Sequence, residues 1–542
     1  MRDRFNWRLL LFGISAILLV CLIEGSPLDP VFGAGRIPLF NSLFDDSSSL
    51  GSWPVAGQNL NDTRNQSAEH LIGPANVARL TTRWVFRTDG DVSATPTVSG
   101  NAVYFPDWAG NLYAVEKDTG KLIWSHKISD YDGIAGSLAR VSPAIHGDLV
   151  IVGDIQSKTA THQGANVIAV DRTTGALRWI TQADSHPAAI ITGSPVVFRN
   201  IVYQGVSSNE ESLALNPAYS CCTFRGSVVA LRANTGEMLW KTYVMPDNGS
   251  QTDGYSGGAV WQPGAIDPLH HSLYIGTGNN YTVPASVLAC EEKAIVANNP
   301  KAQCTAPDDH SDTAISLDLT TGTVKWATSL ESYDAWTDAC LSSPIGVNCP
   351  APHGPDFDLG GSGPNLLPHF VGFGQKSGIY WALNRDNGKI LWGTLVGPGS
   401  GLGGIEWGSA SDGRAIYAAI SNLNQTPYTL VPSGKRISWG SWSALDVSTG
   451  KILWQTADPV VGALDLGSVS VANGVVYAGS DDAAGHMYAL DAKTGQVLWS
   501  FASGGSVIDG PSIVDGTLFW GSGYSRNGTG NHKLYAFSLS RN

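Results

Sequence analysis

The sequence predicts an all-β fold, an eight-bladed β-propeller whose ring is closed by its N-terminal strand, and three observations predict it. A strand, turn and strand unit ending in tryptophan recurs seven times in one register. An eighth copy is divided between the two ends of the chain. The composition, with 63 glycines, 18 tryptophans and only 15% charged residues in 542, suits short strands and tight turns better than surface helices.

The repeat reads LYAVEKDTGKLIW at 112–124, VIAVDRTTGALRW at 167–179 and VVALRANTGEMLW at 228–240. It returns as AISLDLTTGTVKW at 314–326, YWALNRDNGKILW at 380–392, SALDVSTGKILW at 443–454 and MYALDAKTGQVLW at 487–499. Alternation of apolar and polar residues turns one side of each strand to a core, and the glycine supplies the positive φ of a tight hairpin. The split copy consists of LYAFSLS at 534–540, which stops before any tryptophan, and LTTRWVFRT at 80–88, which carries Trp84 with no hairpin before it. Joining the two closes the ring and removes the free sheet edges. The tryptophans at 84, 124, 179, 240, 326, 392, 454 and 499 are then the docking residues between neighbouring blades.

Three regions are expected: a signal peptide or N-terminal anchor at 1–25, an extended lead-in at 26–75 rich in Ser, Asn, Gly and Pro, and the propeller at 76–542. Arg2 and Arg4 precede an apolar run from Leu9 to Ile23, which is short for a membrane span and suits export by a signal peptide. No clean cleavage site stands near Glu24 to Pro27, so an uncleaved anchor is the alternative. No other membrane span is expected, and the location is extracytoplasmic, periplasmic or secreted. The net charge of −13 argues against a nucleic-acid partner, since phosphate binding needs a basic face.

Beyond Cys21, six cysteines remain, and an even count in an exported chain suggests disulfides. Sequence proximity favours Cys290 with Cys304, Cys340 with Cys349, and the adjacent Cys221 and Cys222, among fifteen possible pairings. No CxxCH motif for a c-type haem is present. The stretches 281–312 and 330–355 are too long for blade loops and are expected to cover one face.

The tryptophan-docking repeat, together with polar motifs between blades, resembles the quinoprotein alcohol dehydrogenases over about residues 52–542. SSNEESLALNPAYSCCTFRGSVVAL at 207–231 and HGPDFDLGGSGP at 353–364 look most like the polyvinyl alcohol dehydrogenase branch. The resemblance implies pyrroloquinoline quinone (PQQ) and a metal ion on the propeller axis. GTGNNY at 276–281 matches the family's metal motif and makes Asn279 an amide-oxygen ligand. Glu210 in GVSSNEE matches the glutamate ligand, with Glu211 the alternative one residue on. A carboxylate, an amide oxygen and quinone oxygens suit Ca²⁺.

By the same resemblance Trp261, eighteen residues before Asn279, is the flat floor under the quinone. A planar tricyclic acid needs such a face, plus cationic and hydroxyl partners for its carboxylates. Arg140 is the carboxylate clamp, Thr192 and Ser207 donate hydrogen bonds, and Lys376 lies beside the quinone oxygens. Ala259 departs from relatives that carry a hydroxyl two positions before the tryptophan, which puts one carboxylate contact in doubt. Asp356 in PDFDLGG matches the catalytic aspartate and also a metal ligand. Asp358 matches the extra aspartate of lanthanide-using enzymes, so a lanthanide is a minority expectation beside Ca²⁺. A disulfide between Cys221 and Cys222 is expected to lie over the quinone, although methanol-oxidising relatives carry that pair at a different point in the chain.

The expected activity is PQQ-dependent oxidation of secondary alcohols or polyvinyl alcohol, by hydride transfer to the quinone with an aspartate base. Electrons would pass to a separate cytochrome c. The alternatives are a non-catalytic scaffold propeller, like outer-membrane assembly lipoproteins that share the repeat, or a polymer-binding module that has lost the cofactor. The scaffold predicts that Glu210, Trp261, Asn279, Asp356 and Lys376 would be missing, whereas all are present.

Overall fold

The computed structural model describes residues 51–155, 164–299, 302–359 and 361–540. The expected signal peptide or anchor, with Cys21, and the first half of the lead-in lie outside the described residues. Eight antiparallel sheets, each with four main strands, follow one another along the chain. Blades 1 to 7 occupy 97–127, 144–184, 196–243, 265–329, 365–395, 410–457 and 469–502. Blade 8 takes three strands from 512–539 and its outermost strand, Leu80–Arg87, from the other end of the chain. Trp84 there pairs with Ala536. The ring is therefore closed as the split repeat requires.

The tryptophans dock between blades through one repeated contact. The indole N–H of Trp84, Trp124, Trp179, Trp240, Trp326, Trp454 and Trp499 each donates to a main-chain carbonyl of the following blade, at 2.7 to 3.3 Å. The hairpin glycine of the next blade lies flat against the ring. A Cβ on Gly236 would stand 2.6 Å from Trp179, and one on Gly495 2.5 Å from Trp454, both at φ +73°. Close approach and positive φ thus both require glycine at that turn. Thr181 and Thr456 complete the latch by donating to the carbonyls of Gly236 and Gly495.

The described part of the lead-in is a belt rather than a tail. Its carbonyls accept main-chain N–H bonds from successive innermost strands: Pro54 from Ile145, Leu60 from Ile266, Asn61 from Leu366, Thr63 from Ser411 and Arg64 from Val471. Trp53 exchanges two bonds with Val98, and Gln66 donates to Ile513. Fourteen residues therefore tie inner strands of seven blades together. Backbone that would otherwise lie unpaired on the axis finds its partners there.

Both long insertions are stapled. Cys290, in the helix Ala285–Val296, bonds to Cys304, and Cys340, in the 3₁₀ turn Asp338–Leu341, bonds to Cys349. The adjacent Cys221 and Cys222 are bonded to each other, so the pairing by proximity holds for all three. Asn348 anchors the second insertion by donating to the carbonyls of Ala214, Asn216 and Tyr219. Among the described residues no helix is long and apolar enough to cross a membrane.

Candidate active site

In an antiparallel blade the connection to the next blade and the loop between the second and third strands fall on the same face. That face holds a cavity of about 600 Å³ on the axis. Connections supply Arg140, Thr192, Trp261, Asp358, Glu406 and Trp407 to it, intrablade loops supply Glu211, Lys376 and Arg526, and Ser207 comes from the end of the strand Ile201–Ser208.

One wall is acidic. The Lys376 ammonium stands between Asp356, at 2.9 Å, and Asp358, at 3.1 Å. The other Asp358 oxygen accepts the Asn279 main-chain N–H at 2.7 Å. Asn279 commits both amide hydrogens to the carbonyls of Asn280 and Trp336, which orients its side-chain oxygen as the atom left for a ligand. Burial raises the Asp356 carboxyl well above its usual range, with Lys376 opposing and Asp358 and Glu211 adding to the rise. Burial also works against the Lys376 charge, yet Asp356 and Asp358 outweigh it and hold the ammonium well above its ordinary value. Asp356 has a left-handed backbone, φ 62°, and its N–H donates to Asp334. Asp358 lines the cavity, whereas Asp356 lies behind Lys376 and does not.

The opposite wall is aromatic and cationic. Trp261 meets Trp407 edge to face at 5.2 Å, and the Lys376 ammonium lies 5.6 Å from the Trp261 ring centre. The Arg140 guanidinium stacks on Trp407 at 4.4 Å and reaches Trp108 at 5.5 Å, and Arg526 stacks on Trp108 at 4.5 Å. Among the described residues neither arginine has a carboxylate within ion-pair distance. Thr192 and Ser207 share a hydrogen bond of 2.7 Å at the cavity wall.

These features fit PQQ and a hard cation. Two guanidiniums without an anion suit the carboxylates of a planar acid, and Trp261 supplies a face for it. Glu211 has a buried oxygen with no hydrogen-bond partner, and with Asn279, Asp356 and Asp358 it supplies oxygen donors of the kind Ca²⁺ or a lanthanide takes, although the three carboxylates do not bring their oxygens within 4.8 Å of one another. Burial, opposed by Lys376, raises the Glu211 carboxyl well above its ordinary range.

Two expectations are corrected. Glu210 does not face the cavity: its carboxylate accepts the N–H groups of Thr223 and Phe224 and the Tyr219 hydroxyl, at 2.8 to 3.0 Å. The helical turn Glu210–Leu213 aims the next side chain, Glu211, at the cavity instead. Cys221 and Cys222 do not line the cavity either; Cys222 is buried in the apolar core with Val206, Phe224 and Tyr281. Glu210 holds the turn that carries this disulfide. Ala259, by contrast, does line the cavity, and offers no side-chain hydroxyl there.

Sequence reasoning missed Glu406, Trp407, Arg526 and Asp338, all of which line the cavity. All lie outside the repeat, Glu406, Trp407 and Arg526 in loops and Asp338 at the start of the 3₁₀ turn Asp338–Leu341, with no repeated spacing. The one signal for the first two was the glycine-rich run GPGSGLGGIEWGS at 397–409, too long for a hairpin.

Comparison with known proteins bears on the fold and the family. A family model described as outer membrane protein assembly factor BamB matches residues 81–220 and 375–540. The polyvinylalcohol dehydrogenase of Sphingopyxis sp. (strain 113P3) is 30% identical over 95% of this chain and 80% of its own length. The crystal structure of quinohemoprotein alcohol dehydrogenase from Comamonas testosteroni superposes with a TM-score of 0.66 at 20% identity, covering 91% of this chain and 81% of that one. A europium-containing methanol dehydrogenase gives 0.66 at 18% identity, covering 91% and 99%. At those identities the structures establish the fold alone. The repeat shared with BamB-type propellers, the axial cavity and the similarity along nearly the whole chain lead to one assignment: this chain belongs to the quinoprotein alcohol dehydrogenase family and is similar to its polyvinyl alcohol dehydrogenases.

Proposed function

We propose that the chain binds PQQ with Ca²⁺ in the axial cavity and oxidises secondary alcohols or polyvinyl alcohol outside the cytoplasm, passing electrons to a separate cytochrome c. The observation that carries the reading is the pairing of two guanidiniums lacking an anion with an all-oxygen acidic wall across one tryptophan-floored cavity. Bound there, PQQ would supply the two-electron acceptor for hydride from the alcohol carbon, and the cation would polarise the accepting carbonyl.

The protein's part is to place the acids and bases. Glu211, Asn279, Asp356 and Asp358 would hold the cation, Arg140 and Arg526 the carboxylates, and Thr192 and Ser207 would donate hydroxyl hydrogen bonds. The hydroxyl proton of the alcohol would reach Asp356 by way of the Lys376 ammonium, which stands between that carboxylate and the cavity. Both oxygens of Asp358 are already engaged, one by the Asn279 N–H and one by the Lys376 ammonium, whereas Asp356 has one ammonium partner and a second oxygen facing the space left by Gly401. Burial raises the proton affinity of Asp356 further. Lys376, held by both acids, would swing its charge toward whichever remains ionised.

Reconstitution with PQQ and Ca²⁺, followed by dye-linked oxidation of an alcohol panel, tests the assignment. Turnover with quinone absorbance in the protein is expected. No quinone uptake with Ca²⁺ or any lanthanide would overturn it in favour of a binding propeller.

A further inference from the structure

Glu406 is the buried acid that this reaction scheme leaves without a role. It follows the glycine-rich connection between blades 5 and 6, which wraps on Lys376: Ser400 and Gly404 donate to the Lys376 carbonyl and Ile405 to that of Gln375. The Glu406 carbonyl and the Trp261 ring both border Gly361, where a Cβ would stand 2.6 Å from that oxygen and 2.8 Å from that ring. The side chain is 4% exposed, lines the cavity, and has one carboxylate oxygen buried with no hydrogen-bond partner. Gly403 makes the room: a Cβ there would lie 2.5 Å from Glu406 Oε2.

We propose that Glu406 works as a neutral carboxylic acid in the loaded protein, donating a hydrogen bond to an anionic oxygen of the cofactor, so that cofactor loading takes up one proton. The inference rests on the proposed function for its ligand. An ionised Glu406 would set a buried negative charge against a cofactor that carries carboxylates, in a cavity that Asp358 and Glu211 already line, with Asp356 behind Lys376. A protonated one satisfies its own orphaned oxygen and adds a donor that Ala259 does not supply.

The surroundings agree. Burial pushes the Glu406 carboxyl up to about 7; Lys376 and Arg140 oppose the rise and Asp358 adds to it. Arg140 and Lys376 are the cations that would engage the cofactor, so loading diverts the two charges that favour ionised Glu406. Proton uptake is therefore linked to binding through shared partners as well as direct contact. The proton comes from solvent, stays on the carboxyl oxygen, and no electrons are exchanged.

The test is PQQ binding at saturating Ca²⁺, followed by quenching of tryptophan fluorescence from pH 6 to 8.5, with calorimetry in buffers of different ionisation heat. Wild-type affinity should fall roughly tenfold per pH unit above 7, with close to one proton taken up per cofactor at pH 8. Glu406→Gln, which keeps the shape and a donor, should bind as tightly as wild type at pH 6 with the slope and the uptake abolished. Glu406→Leu should also lose the slope but bind about tenfold more weakly at pH 6, which separates a donated hydrogen bond from the mere absence of charge. The same slope and uptake in wild type and Glu406→Gln would overturn the proposal. Failure of wild type to bind PQQ at any pH would instead overturn the proposed function, and this inference with it.

Discussion

Arg64 and Arg140 both border a small axial cavity of about 60 Å³, which shares Arg140, Thr192 and Trp407 with the large cavity and is closed by Ala56, Asp62 and Arg64 of the lead-in. Arg64 is fully committed. It donates to the carbonyls of Val469 and Ala56 and to the Thr95 hydroxyl, and Asp62 and Asp509 favour its charge. Arg140 rests on two indoles, and the carboxyl whose ionisation it favours is Glu406. Arg64 is thus structural, since the chain supplies its acceptors, and Arg140, which has no ion-pair partner among the described residues, is the one we propose to engage a ligand. A buried cation is stabilised by hydrogen bonds and counter-charge, and a site that withholds both leaves them for a ligand to bring.

The contrast can be broken or sharpened by substitution. The largest effect is expected at the acidic wall: Asp356→Asn should lower kcat by about a thousandfold or more while quinone absorbance is retained, as for loss of a general base. Unchanged turnover in single-turnover mixing would remove Asp356 from that role. Next come the two arginines. Arg140→Ala should weaken PQQ binding by about a hundredfold and leave the apoprotein melting temperature near wild type, because a charge-assisted pair to the ligand is lost. Arg64→Ala should do the reverse, costing about 3 kcal/mol of stability with little change in PQQ affinity, since Asp62 and Asp509 would be left buried without their counter-charge. Equal effects of the two substitutions on both readouts would refute the distinction.

Away from the axis, Gly495→Ala should destabilise by about 2 kcal/mol in chemical denaturation, since both the left-handed turn and the Trp454 ring oppose a side chain. A smaller effect is expected from pH. The Glu406 carboxyl is raised to about 7 from an ordinary 4.5, so its contribution to apoprotein stability is fully present below 4.5 and lost as pH rises through 7. The melting temperature of the apoprotein should therefore fall between pH 6 and 8 by more in wild type than in Glu406→Gln. The smallest change is expected from Arg526→Gln, a several-fold loss of PQQ affinity, because that side chain is exposed and water screens its charge.

The propeller was legible because its information is repeated. Trp124, Trp179 and Trp454 each meet the same glycine and carbonyl in the next blade, so a single spacing, read seven times, specifies strand register, turn type and closure. Trp261 and Lys376, expected at one site from the motifs that contain them, do line one cavity, and Asn279 binds Asp358 of that cavity through its main-chain N–H. Glu210 and Glu211 were not separable, since the choice turns on which carboxylate the distant N–H groups of Thr223 and Phe224 capture. The belt of residues 53–66 was equally hidden: it carries no repeat, and its partners are spread over more than four hundred positions.

The sequence by itself therefore determined the ring of eight, its closure by Leu80–Arg87 and the family, and by proximity it favoured the three disulfides that form. These depend on local periodicity and on residues close along the chain. Only the tertiary structure decided which charges face one another: Glu211 in place of Glu210 at the cavity, Arg526 beside Arg140 on Trp108, and Glu406 in the cavity with Lys376 and Arg140. Each of those pairings joins loops from different blades. Coulombic and desolvation energies depend on distance and burial in space, which spacing along the chain does not encode.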